Sequence, residues 1–219
     1  MRRVLVVFAL AGALLSAVML VADDKVYVAP KVYHANTYPA RDEHPMEHVS
    51  IAIDPYDMAD KTAGVLRVPY NEEGFLPIRL IVSNDGDSTV VLSNMKVELV
   101  TVKRVKIQPA APDDIYRRIS KQGKRPDESR PLPLPIPRKV KPSVSKQAQD
   151  EIENSRFLAR AVDAHSTQAG FLYFDVGGIS NPMAGAHLYV TGVLDSNGQE
   201  LMYFEIPLEK YLTYRPGQP

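Results

Sequence analysis

The chain has no cysteine, and that absence excludes more chemistry than any motif in it suggests. Disulfides, thiol nucleophiles, thiolate metal centres and the lipid-bearing cysteine of bacterial lipoproteins all require that residue. Net charge is missing as well. Across 219 residues, 26 Lys and Arg balance 26 Asp and Glu, so no global field draws the chain to nucleic acid. There is no Gly-x-Ser-x-Gly elbow for a nucleophilic serine, and no glycine-rich loop built to cradle phosphate. What remains is an ordinary globular composition, 45% hydrophobic and 24% charged, long enough for one large domain.

The first feature present is an address. Arg2 and Arg3 precede an apolar or small run from Val4 to Ala22, closed by Asp23 and Asp24. Residues 1–22 therefore read as a signal peptide, cut after Ala22, or as a retained N-terminal anchor. Leu20 stands where cleavage prefers a small residue, and the run is nearly long enough to span a bilayer. Either reading exports the rest of the chain to the periplasm, the extracellular space or the outward membrane face. Membrane contact is expected only if the leader is retained. Nucleotide cofactors are scarce in all these compartments.

Residues 23–47, rich in Pro, His, Asp and Tyr, read as an extended arm. A single domain is expected over 48–214. Its first strand is His48–Ile53, stopped by Asp54-Pro55. Leu76–Val82 alternates with period two, and Pro77 belongs at a strand start or edge. Asn84–Asp87 reads as a turn. Met95, Val97 and Leu99 alternate with charges, as do Val105 and Ile107, predicting with Leu76–Val82 an antiparallel sheet wet on one side. Gly170–Val176 is apolar on both faces, as a central strand would be. The runs 188–194 and 201–206 flank Asn197-Gly198, a strong hairpin signal.

Between these halves the rhythm breaks. Asp113–Ile119 predicts a short helix with acids first and arginines last, and Ser145–Ala159 admits another. From Lys121 to Pro142 there are six prolines, and from Lys121 to Lys141 seven basic residues against two acidic. This segment reads as an extended basic connector, 121–147 at its widest, carrying the chain from one sheet to the other. About seven short strands with intervening turns predict a mainly all-β fold, an antiparallel β-sandwich of immunoglobulin type with one or two short helices.

Two segments carry a family resemblance. Leu80-Ile81-Val82-Ser83-Asn84, then a turn, and Val162–Gly170 leading into Phe171-Leu172-Tyr173-Phe174-Asp175 resemble exported immunoglobulin-like (telokin-like) domains of bacterial surface proteins. His165 stands where those domains more often have Gly or Asn. The resemblance covers two strands; such families are mostly non-catalytic, so it implies a sandwich fold and little about activity.

Candidate sites are few. His44-x-x-Glu47-His48 matches an inverted zinc-protease motif, in which two imidazoles four apart on a helix bind zinc. Pro45 and the strand pattern after His48 oppose a helix there, and two histidines four apart on a strand stand about 13 Å apart. A non-catalytic Zn or Cu site using His34, His44 and His48 is the alternative that stays open, with a metallohydrolase more distant. Asp54, Asp57 and Asp60 recur every third residue and suggest Ca²⁺, although the glycine and bidentate glutamate of a calcium loop are missing. His165 beside Ser166 and Thr167 forms no nucleophile–base pair, since adjacent side chains in a turn point apart. The expected function is non-enzymatic contact with a protein or envelope polymer. It would act through the basic 121–142 segment or by strand addition at a sheet edge. Nucleic acid is not expected, because no aromatics interleave with the bases.

Overall fold

The computed structural model describes residues 27–121 and 144–213. Residues 1–26, with the segment read as a leader, the proline-rich stretch 122–143 and the residues after 213 lie outside them. Two four-stranded antiparallel sheets face one another. The first has the order β1 (Ala40–His44), β2 (Val49–Pro55), β3 (Phe75–Asn84), β8 (Ser166–Asp175). The second has the order β10 (Phe204–Pro207), β9 (His187–Thr191), β5 (Lys96–Val100), β6 (Lys106–Ile107). A two-stranded piece, β4 (Val90–Val91) with β7 (Ala161–Val162), lies beside them. The protein is an all-β antiparallel sandwich.

The period of two sets what each sheet buries. Leu76, Ile78, Leu80 and Val82 of β3 meet Ile51, Ile53 and Phe174 from their own sheet, and Leu99, Leu188, Val190, Phe204 and Ile206 from the other. All are sealed from solvent, which makes this inter-sheet layer the main hydrophobic stabilisation. The opposite face of the first sheet is also covered. Phe75, Phe171 and Tyr173 pack with Ile115 of helix α2 (Pro112–Lys121) and Ile152 of α3 (Lys146–Ser155). Ala52 and Ile81 pack under Ala35 of a 3₁₀ turn, Ala35–Thr37. Every residue of β3 is therefore buried.

Several expectations change. The stretch 23–47, read as an arm, supplies the whole of β1, paired from Ala40↔Ile53 to His44↔Val49. The part from residue 27 lies against the sheet. There Arg79, 4% exposed, donates to the carbonyls of Pro30 (2.6 Å) and Lys31 (3.1 Å). Removing that guanidinium should free the arm at modest cost to the core. Arg79→Met is therefore expected to speed proteolysis within residues 27–39 while leaving the sandwich folded, read by limited digestion and mass spectrometry. β3 and β5 lie in different sheets, so the three alternating runs do not form one sheet. β8 is an edge strand, apolar on both faces because helices cover its outer side. Helices α1 (Ala59–Ala63) and α4 (Glu209–Leu212) add to the two foreseen. The chain changes sheets before the proline-rich stretch: Pro109 bridges Phe174, and Ala110 N–H donates to Tyr173 (2.7 Å).

The Asn197-Gly198 turn joins β9 to β10 as expected, with Gly198 at φ 81°. The Asp195 carboxylate accepts the N–H groups of Asn197 and Gln199, each at 2.8 Å. These bonds, the one at Gln199 foremost, hold its carboxyl below the ordinary range. A folded pKa below the unfolded one gives the turn stabilisation above the unfolded value, lost as pH falls through the folded value. Amide shifts of Asn197 and Gln199 followed by NMR should therefore titrate at lower pH than those near an ordinary aspartate.

Candidate functional site

The histidines singled out in the sequence are bound to separate neighbours. His34 caps the 3₁₀ turn, its Nδ1 accepting from Asn36 N–H (3.2 Å), and its Nε2 lies 2.8 Å from Asp85 Oδ1. His44 ends β1. Its ring stacks on Phe204 with centroids 3.9 Å apart, and its Nδ1 lies 2.7 Å from Glu47 Oε2. His48 is a turn residue at φ 55°, not a strand residue, and its carbonyl accepts from Asp85 N–H. The motif 44–48 is thus a hairpin turn. His165, also left-handed at φ 53°, lies 3.0 Å from Asp87. His34 and His48 are brought to the 84–87 turn with His165, whereas His44 lies against β10. No group of three or more His, Asp or Glu is arranged to hold a metal ion among the described residues. Losing its ring stack and carboxylate contact, His44→Ala is expected to cost about 1–2 kcal/mol in chemical denaturation.

The Asp54, Asp57 and Asp60 series likewise fails to converge as a calcium site. Asp54 accepts from the ammonium of Lys61 at 2.5 Å, Asp57 accepts from Tyr211 Oη at 3.2 Å, and Asp60 lies exposed on α1. Lys61 lies over the rings of Tyr56 and Tyr211, 4.5 and 4.7 Å from their centroids. Burial, with Asp54 adding to it, pushes the Tyr56 hydroxyl up to about 12.

With no reactive pair assembled from the sequence candidates, the sheet edges are where backbone chemistry is left open. Unpaired edges invite another strand, and proteins usually blunt them. On one side of the sandwich β1 and β10 do this for each other: Asp42 Oδ2 accepts Glu205 N–H at 2.9 Å, and Glu47 Oε1 accepts Met202 N–H at 3.3 Å. On the other side, the edge of β8 is covered where Phe157 N–H donates to Phe171 (2.9 Å) and Ala110 N–H to Tyr173. Its remaining length, Ser166–Ala169, carries only small or polar side chains.

β5 is different. Thr101 N–H donates to Val105, so the odd residues of β5 direct their backbone groups towards β6. Leu99 meets Ile107, the last residue of β6. Two residues on, the residue that register would set opposite Val97 is Pro109, which instead bridges Phe174. It has no N–H, and the chain there has crossed to the other sheet. The N–H and C=O of Val97 consequently have no backbone partner among the described residues. Beside them the gap between the sheets opens as a groove of about 550 Å³, walled by Leu92, Met95, Phe157, Leu158 and Leu172, with Lys96 and Glu98 on its lip. Leu158 is 60% exposed.

An open main-chain edge over an apolar trough can accept an extended peptide: the backbone supplies hydrogen bonds, and the trough takes alternate side chains. Strand pattern alone did not disclose this edge. Its one local signal is Pro109, two residues beyond the alternation that ends at Ile107. No protein-family model matches the chain, and no curated protein matches it. Among the described residues no helix is long and apolar enough to cross a membrane.

Proposed function

We propose that this is an exported, non-enzymatic sandwich that captures an extended segment of a partner protein by strand addition to β5. The single observation that carries the reading is the unpaired backbone of Val97 beside the apolar opening between the sheets. The partner segment runs alongside residues 95–98, bonds to the Val97 N–H and C=O, and inserts one or two apolar side chains against Leu158 and Leu172. Three or four residues of strand cover about 10–13 Å, which matches the short length of open edge. The leader supports export. The resemblance to immunoglobulin-like surface domains bears on the fold alone, and its two segments are neighbouring paired strands, Leu80 opposite Gly170.

Peptides selected on the protein from a displayed random library test the reading. Enriched peptides are expected to alternate apolar with polar residues, and Leu158→Arg should weaken their binding by at least about tenfold. The exposed side chain at 158 makes that change harmless to the fold. Met46→Arg, at the exposed β1–β2 turn, should leave binding unchanged. Equal loss with both variants, or none with Leu158→Arg, counts against the groove.

A further inference from the structure

A second cavity lies at the end of the sandwich where β3 begins and β8 ends. It measures about 540 Å³, within the size range of small-molecule sites. Phe75, Leu76, Ile179, Met183 and Leu212 give it apolar walls, and among the described residues Asp57 is the one charged residue lining it. The other acidic and basic groups nearby are satisfied elsewhere. Asn71, also on the wall, turns both ends of its amide inward: its nitrogen donates to Tyr56 O (2.9 Å) and its oxygen accepts from Thr62 (2.7 Å). Arg118 is paired with Asp175. Lys61, the nearest ammonium, has three hydrogens and three acceptors: Asp54 (2.5 Å), Pro55 O (2.7 Å) and Tyr211 Oη (3.1 Å). None is left for Asp57. Among the described residues that carboxylate receives only the Tyr211 hydroxyl, so two carboxylates here face one described ammonium at the mouth of an apolar chamber.

We infer that this cavity binds a small amphipathic amine, its hydrocarbon body against Phe75, Leu76, Met183 and Leu212 and its ammonium on Asp57. The chain carries its own precedent for the headgroup interaction in Lys61, held a few residues away by Asp54 and two tyrosine rings. A charge-assisted hydrogen bond is stronger than a neutral one, and more so beside apolar walls than in open water, which gives the amine its advantage over neutral or anionic ligands of equal length. The site is independent of the β5 groove and shares no lining residue with it.

The test is calorimetric titration of the protein, purified in the form cells produce, with hexylamine, hexan-1-ol and hexanoate. Hexylamine is expected to bind at least about tenfold more tightly than hexanol, and hexanoate most weakly. In Asp57→Asn the side-chain oxygen that accepts from Tyr211 is retained, and the amine and the alcohol should become equivalent. Leu212→Trp, which fills the chamber from the exposed side of α4, should abolish binding of both. Equal affinity of amine and alcohol for the unaltered protein, or no binding of either, overturns the inference without reference to any variant. An amine preference that survives in Asp57→Asn overturns the assignment to that carboxylate.

Discussion

Replacing Glu151 by alanine is expected to lower stability by about 4 kcal/mol, or roughly 8–16 °C in melting temperature for a domain of this size. Glu151 is 2% exposed on α3, and three donors converge on it. Arg67 N–H reaches Oε2 at 2.7 Å, while Val68 N–H (3.2 Å) and Tyr70 Oη (3.1 Å) reach Oε1. Truncation would take the acceptor from the buried Val68 N–H and the part-buried Arg67 N–H, and would leave the Tyr70 hydroxyl only Tyr173 to meet, with the cost of unmade hydrogen bonds at a mostly buried site. Tyr70 and Tyr173 share this layer. Burial pushes both hydroxyls well above their ordinary range, and the Tyr173 hydroxyl lies 2.6 Å from Ser155 of the same helix. The network fastens α3 to the 67–70 loop and, through Ser155 and Tyr173, to β8. Two graded variants check the assignment. Glu151→Gln keeps one acceptor oxygen but turns an amide nitrogen towards a donor, and should lose about half as much. Tyr70→Phe removes one bond and should cost about 1 kcal/mol. An alanine variant within about 1 kcal/mol of the parent in urea unfolding would show that the convergence is not what holds the helix.

Gly170→Ala is expected to cost about 3 kcal/mol, for a reason that lies in packing and not in backbone conformation. A Cβ at this position of β8 would lie 2.5 Å from Phe157 Cα, 2.6 Å from Phe157 N and 2.8 Å from the carbonyl carbon of Arg156. All three are backbone atoms, so the segment must shift bodily. That segment closes the edge of β8 through the Phe157 to Phe171 hydrogen bond, and it forms one wall of the groove beside β5. The substitution should therefore have two effects in one variant: a lower unfolding midpoint, and loss of peptide binding at temperatures where the protein is still folded. Wild-type affinity in a destabilised Gly170→Ala protein would separate the 156–158 segment from the site.

The sequence discloses the strands that are buried on one face and polar on the other. Val97 and Leu99 alternating with Lys96 and Glu98 mark β5, and Asn197-Gly198 marks the last hairpin. It discloses poorly what depends on partners far along the chain. β1 reads Ala-Arg-Asp-Glu-His, with one apolar residue, because its side chains serve the edge of β10 instead of a core. The odd positions of β3 look irregular, mixing Pro77, Arg79, Ile81 and Ser83, since three different covers lie over them: helices, arm and turn. The short helices α1 and α4 have too few residues for a periodic signal. Asp57 looks like a turn residue until Tyr211, 154 positions away, is placed against it. The groove is a negative feature, a strand that β6 does not continue, and only the position of Pro109 hints at it.

The open edge of β5 can be tested by hydrogen exchange at a single amide, Val97, resolved by NMR. Its neighbours Glu98 and Leu99 pair within the sheet and should exchange slowly, while Val97 exchanges orders of magnitude faster in the free protein and slows when a selected peptide saturates the groove. A Val97 amide already as protected as Leu99 in the free protein, or one unmoved by bound peptide, would contradict strand addition at this edge.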